Sequence, residues 1–168
     1  MISELIAGIL VRDLKALKRE LEAFKDERHI WRTAPGITNS AGTLTLHLAG
    51  ALRHFIGAQL GGTGYVRDRD AEFARRDVSR ADLTRQVNEA IAAIERTMPK
   101  LSDADLAKPY PLPIGGATLT TSDFLLHHAA HLAYHLGQLD YLRRFVTGEA
   151  GKIGAIAPTE LTTAKKAG

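Results

Sequence analysis

Phe124-Leu-Leu-His127-His128-Ala-Ala-His131-Leu-Ala-Tyr134-His135-Leu-Gly137-Gln138 is the stretch on which the reading of this chain turns. Four of the seven histidines fall within nine consecutive positions. His127, His131 and His135 are spaced by four, so on a helix they stand one turn apart on one face. At 100° per residue they span about −40° to +40°, with His128 near about +60°. Two imidazoles at a spacing of four can grip one metal ion. The flanking residues are Leu, Ala, Phe and Tyr, which places the histidines on a helix facing a core. One imidazole on such a face is readily satisfied by a neighbour. Several side by side would each need hydrogen-bond partners, and a shared metal answers that need.

The rest of the chain supplies a frame for this helix. Its 168 residues predict one domain, long enough to bury a core without cross-links. Apolar residues make up 45% and charged residues 24%, an ordinary balance for a globular protein. There is no Cys, which excludes disulfides, thiolate–zinc sites, iron–sulfur clusters and a cysteine nucleophile. A net charge of +3, spread along the chain, is too small to predict nucleic-acid binding. Glu4, Arg12, Asp13, Lys15 and Lys18 interrupt the opening residues, unlike a signal peptide. No apolar run approaches the roughly 18 residues that span a bilayer. The expectation is a cytoplasmic protein with no membrane or nucleic-acid partner.

Three further helices are predicted from spacings of three and four. The first covers 2–24, with Leu5, Ile6, Ile9, Leu10, Leu14, Leu17, Leu21 and Phe24 as its stripe and Ser3 as its cap. The second covers 41–57, is poor in charge, and follows Asn39 and Ser40 as candidate caps. Gly61, Gly62 and Gly64 end it, and 65–77, rich in Arg and Asp, reads as an exposed loop. The third covers 80–98, opened by a capping-box-like Ser79-Arg-Ala-Asp82 and closed by Pro99. Its prolines and glycines argue against a helix over 101–119, where a short extended pair around 110–119 fits better. The histidine helix starts at Thr121, Ser122 or Asp123 and runs to Thr147. The expected architecture is all-α, a four-helix bundle over 1–147 followed by a C-terminal tail, 148–168.

A metal site needs at least three protein ligands, and one helix rarely gives them all. His47 and His54 on the buried second helix are the donors available from elsewhere. They lie on one face but about 10.5 Å apart along the axis, so only one reaches a given ion. His29 starts a charged loop and reads as exposed. Tyr134 and Gln138 are candidates to stand behind the ligands, or else helix-packing residues. Asp123 reads as a cap, Asp140 as a surface or interhelix charge, and Arg53 as a salt-bridge partner or a contact for an anion.

His131-Leu-Ala-Tyr134-His135-Leu-Gly137-Gln138 resembles the His-x-x-Tyr-His-x-Gly-Gln signature of the DinB superfamily of metal-dependent proteins. The segment from Asn39 to His54 resembles that family's early histidine motif. The resemblance spans 1–147 and leaves out the tail. It implies up-down-down-up connectivity, a homodimer, and a divalent ion, with zinc or nickel first, on His47, His131 and His135. His127 matches a position that is not usually a ligand. Leu136 stands where family members commonly carry Arg, which removes that residue's role in substrate or partner contact.

Three imidazoles leave a coordination position open, as catalytic sites do. The resemblance therefore implies a metal-dependent enzyme acting on a small molecule, of thiol S-transferase or hydrolase type. Any low-molecular-weight thiol would come from outside the chain. No Glu lies between His131 and His135, so the metalloprotease arrangement is absent and no catalytic residue is assigned. The competing expectations are a noncatalytic metal-binding or stress-response module and a metal-free dimeric bundle.

Overall fold

Leu10, Leu14, Leu17 and Leu21 are fully buried along one face of helix α1 (Ile2–Glu22). The computed structural model describes residues 1–151, 153 and 156–166. Five more helices follow: α2 (Ala41–Leu52), α3 (Arg69–Ala74), α4 (Arg80–Thr97), α5 (Asp103–Ala107) and α6 (Thr121–Thr147). The four long ones, α1, α2, α4 and α6, are those expected from the apolar spacing. Ser40 caps α2 by accepting from the Thr43 amide, and Ser79 caps α4 by accepting from the Asp82 amide. Gly148, with φ of 73°, closes α6 in the left-handed conformation that glycine adopts without steric cost.

Side-chain contacts give the direction of each helix. Ser3 near the start of α1 donates to the Leu101 carbonyl beyond the end of α4, and Lys18 bonds Asn88, so α1 and α4 are antiparallel. Glu20 meets Arg143 and Lys25 meets Glu149, so α1 and α6 run the same way. Arg53 pairs with Glu89, and Gly57 and Gly61 abut Ala93 and Thr97, a constant offset that makes α2 and α4 parallel. His47 meets His131 while Phe55 meets Phe124, so α2 and α6 are antiparallel. The bundle is therefore up-down-down-up, with α2 and α6 as neighbours.

After Leu52 the second helix widens into a π turn over Arg53–Ala58, where the Gln59 amide donates to the His54 carbonyl five residues back. The Tyr110 hydroxyl donates to the Phe55 carbonyl at 2.7 Å, giving this widened turn an additional partner.

Several local expectations are corrected. Ser3 is not the cap of α1; it is buried within the helix, and Met1 holds the cap position. α1 ends at Glu22, and Phe24 is buried just beyond it. Thr120, not Asp123, caps α6. The 101–119 segment does contain a helix, α5, because Ser102 and Asp105 form a capping box strong enough for one turn. The extended pair exists as isolated bridges, Pro109 with Thr120 and Ile114 with Ala117. The segment over 65–77 is not simply exposed: it holds α3, and Glu72 and Arg67 are largely buried. In the described part of the tail, Pro158–Glu160 form a short 3₁₀ turn and Glu160 pairs with Arg19. Lys152, Gly154, Ala155, Ala167 and Gly168, which fall within the expected tail, lie outside the described residues.

Candidate metal centre

His47 projects from the middle of α2, and His131 and His135 from consecutive turns of α6. The antiparallel packing of these helices brings three Nε2 atoms together. His131 Nε2 lies 3.4 Å from His47 Nε2 and 3.1 Å from His135 Nε2. All three ligand atoms fall within 4.8 Å of one another. The imidazoles are half-buried and mutually edge-on, with His131 at 77° to His47 and 89° to His135.

Two of the rings are oriented from behind. His135 Nδ1 donates to Gln138 Oε1 at 2.7 Å, which leaves the lone pair of its Nε2 facing inward. His47 Nδ1 lies 3.3 Å from Glu72 Oε2. Arg67 donates to both oxygens of that carboxylate, from Nε to Oε1 and from Nη2 to Oε2, each at 2.7 Å. Burial pushes the Glu72 carboxyl up, but the bonds from Arg67 and His47 outweigh it and hold the group below its ordinary value. Burial, reinforced by the neighbouring imidazoles, holds His131 down at about 4. Burial also lowers His135, partly opposed by the Gln138 bond. At neutral pH both α6 imidazoles are thus unprotonated, the form that binds metal. A proton on His131 Nε2 can satisfy only one of the two lone pairs aimed at it. A single cation satisfies all three, so the donor set fits a divalent ion with nitrogen ligands.

The remaining expected residues are sorted by the same geometry. His54 does not join the cluster: it sits on the π turn, packs against Phe55, and is lowered chiefly by burial. His127 is exposed. His128 is turned inward, 3% exposed, between Phe55 and Phe124, and burial drives it down to about 3. Tyr134 is exposed rather than packed between helices, and its ring meets that of His135 edge-on at 5.2 Å. Gln138 does stand behind a ligand, His135. Arg53 forms an ion pair with Glu89 and covers the Tyr65 ring, and His29 is partly shielded beside Asp26. Leu136 is a core residue. Arg67 and Glu72 are the members that sequence reasoning missed.

No curated protein matches the chain. A crystal structure of a DinB-like protein from Bacillus cereus shares the fold, with a TM-score of 0.62 and 19% identity over 80% of this chain and 86% of that one. This likeness bears out the helical-bundle fold that the apolar spacing predicts and the family resemblance implies. Residues 6–160 match the model of a protein family of unknown function, DUF1572, and the chain belongs to that family.

Proposed function

We propose that this protein holds one divalent ion, zinc or nickel, on His47, His131 and His135, and acts with it on a small molecule. The observation that carries the reading is the convergence of three Nε2 atoms from two helices. Held by these three imidazoles, such an ion would polarise a substrate oxygen or activate a water or an exogenous low-molecular-weight thiol. The chain's own residues hold His131 and His135 neutral, fix the rotation of His47 and His135, and keep Arg67 engaged with Glu72. A cleft of about 570 Å³ begins at Gln138, the partner of His135, and is bounded by Pro35, Ile37, Leu44, Tyr141 and Phe145. Its size and apolar lining suit a small-molecule substrate. Thiol transfer and hydrolysis are the two reaction types this arrangement supports. We assign the site to residues 1–147 and give 148–168 no part in it.

One observation favours a noncatalytic reading, in which the protein binds metal as a sensor or stress module. The carboxylate that touches the cluster, Glu72, is occupied by Arg67 and His47 and is not free to move a proton. Elemental analysis tests what the two readings share. Untagged wild-type protein is expected to carry close to one divalent ion per chain, and His47→Ala and His131→Ala to carry none. Wild-type protein that stays metal-free after reconstitution would rule out both. Turnover that depends on the ion, sought across a panel of thiols and esters, separates the enzyme from the module.

We further propose that the chain pairs with a second copy through α6. From Leu126 to Phe145 the exposed positions of this helix carry no Asp, Glu, Lys or Arg, yet they include Tyr134, Tyr141 and Phe145. A twofold contact sets a patch against itself, and because Arg144, which lies over the Tyr141 ring, is already paired with Asp140, little uncompensated charge meets its own kind there. Light scattering is expected to give the mass of a dimer, and Tyr141→Lys with Phe145→Glu that of a monomer. A monomeric wild type at micromolar concentration would contradict this. Among the described residues no helix is long and apolar enough to cross a membrane. We place the protein in the cytoplasm, where low-molecular-weight thiols are kept reduced, with no nucleic-acid partner.

A further inference from the structure

The segment between α2 and α4 reaches back over α2 and touches the metal candidates from outside. Its Arg67 and Glu72 side chains are 10% and 7% exposed, as buried as His47 itself at 12%. A buried ion pair of this kind is costly to desolvate and is a weak source of stability. Its placement therefore calls for another reason. Gly50, one turn after His47 on α2, supplies the space: a Cβ there would lie 2.0 Å from Glu72 Oε1 and 2.8 Å from its Cδ. Only glycine at this position lets the carboxylate come down beside His47.

The Nδ1 atom of His47 faces two opposite partners, Glu72 Oε2 at 3.3 Å and Arg67 Nη2 at 3.2 Å. When Nδ1 carries the proton, Glu72 accepts it. When the proton sits on Nε2 instead, Arg67 donates to Nδ1. The shorter contact of Arg67 Nη2, 2.7 Å, is to Glu72 Oε2, so the guanidinium is engaged mainly by the carboxylate, and the carboxylate favours the Nδ1–H form. A cation can use only the Nδ1–H form, because it needs the Nε2 lone pair. Once that form is selected, the ionised carboxylate strengthens Nε2 as a donor, and Arg67 keeps the carboxylate in place by a two-point contact.

Resting on the metal reading above, we infer that Glu72 is a positioning residue of the metal centre: clamped by Arg67 and admitted by Gly50, it fixes His47 in the tautomer that binds the ion. The Gln138 bond does the same for His135 with a neutral acceptor, so the charged device belongs to the α2 ligand alone.

Zinc affinity measured by competition with a chelator is the test, on wild type, Glu72→Gln, Glu72→Ala and Gly50→Ala. Glu72→Gln keeps the shape and removes the charge. Gly50→Ala displaces the flexible carboxylate without altering any ligand. All three are expected to bind zinc about 10- to 100-fold more weakly, the usual consequence of losing such a partner. Glu72→Gln is expected to melt below wild type when metal-free, because it leaves Arg67 without its anion, and Gly50→Ala, which keeps both charges, separates that loss from the effect on zinc binding. Nitrogen NMR of the histidines is expected to show metal-free His47 chiefly as the Nδ1–H tautomer in wild type and with a larger share of the Nε2–H form in Glu72→Gln; equal shares in the two proteins would count against the role of Glu72. Tight zinc binding by wild type with unchanged affinity in Glu72→Gln and Gly50→Ala overturns the role of Glu72 and leaves the metal reading standing. Failure of wild type to bind zinc, nickel or any other divalent ion overturns both.

Discussion

Arg143→Met is expected to cost about 3–5 kcal/mol of folding stability, the usual penalty for removing one partner of a buried ion pair. The Arg143 side chain is 2% exposed and that of Glu20 0%. The guanidinium donates to Glu20 through Nε, and through Nη2 to Asp140 and to the Gly151 carbonyl. It ties the end of α1 to the end of α6 and lies between two acids. Its loss leaves Glu20 buried beside Asp140 with no cation, while Asp140 keeps Arg144.

The pH dependence follows from Glu20. Burial pushes its carboxyl from the ordinary 4.5 up to about 7, and Asp140 adds to the rise while Arg143 opposes it. Because the folded state holds this proton more tightly than the unfolded chain does, the group's contribution is fully present below about pH 4.5. It is lost as pH rises through about 7. Removing Arg143 removes the opposing cation and drives the carboxyl higher still. The penalty of Arg143→Met should therefore be larger at pH 8 than at pH 5, where a proton neutralises Glu20. Adding Glu20→Met should recover most of the loss, since two apolar side chains leave no unpaired charge. Urea unfolding of the metal-free proteins at both pH values measures this. A single variant within 1 kcal/mol of wild type at pH 8 would show that the pair is not a significant constraint on α6.

Much of this was legible in the sequence because it depends on local regularity. The spacing of Leu10, Leu14, Leu17 and Leu21 gives α1, and the hydroxyls of Ser40 and Ser79 mark where α2 and α4 begin. The α6 pair was legible as well, since a spacing of four fixes His131 and His135 relative to one another, whereas spacing left His47 and His54 both open and only the family resemblance chose His47. His128 shows the limit of an angular argument. Near the same sector on paper, it turns into the Phe55–Phe124 core, because the neighbouring helix decides which edge of the face is inside. Arg67 and Glu72 lay beyond reach for a different reason. They sit in a charged, aperiodic segment whose pattern predicts solvation. The one clue was Gly50 in the middle of an otherwise well-formed buried helix, a glycine that marks the close approach of another chain segment. The α5 turn was missed although Ser102-Asp-Ala-Asp105 is itself a capping box, outweighed by the prolines that follow it.

The second large effect expected is a rise in stability on adding zinc, confined to proteins that keep all three imidazoles. An ion that binds the folded chain alone stabilises it by about 4.1 kcal/mol at a free concentration 1,000 times the dissociation constant. For a chain of this length that corresponds to a melting temperature higher by about 8–16 °C. The site joins α2 to α6, and the unfolded chain separates His47 from the α6 pair by more than 80 positions in sequence, so it has no comparable site to offer. His131→Ala and His47→Ala should each abolish the rise, although they lie on different helices. His54→Ala should retain it, because His54 packs against Phe55 and is not one of the three converging imidazoles, and that contrast excludes a general effect of histidine loss. Without metal, His131→Ala is expected to melt within a few degrees of wild type. The ring it removes is only half-buried, and burial already holds it neutral, so no charge is stranded. A metal-free bundle stabilised by histidine packing alone would behave in the opposite way, with no response to zinc and a clear loss on truncating His131.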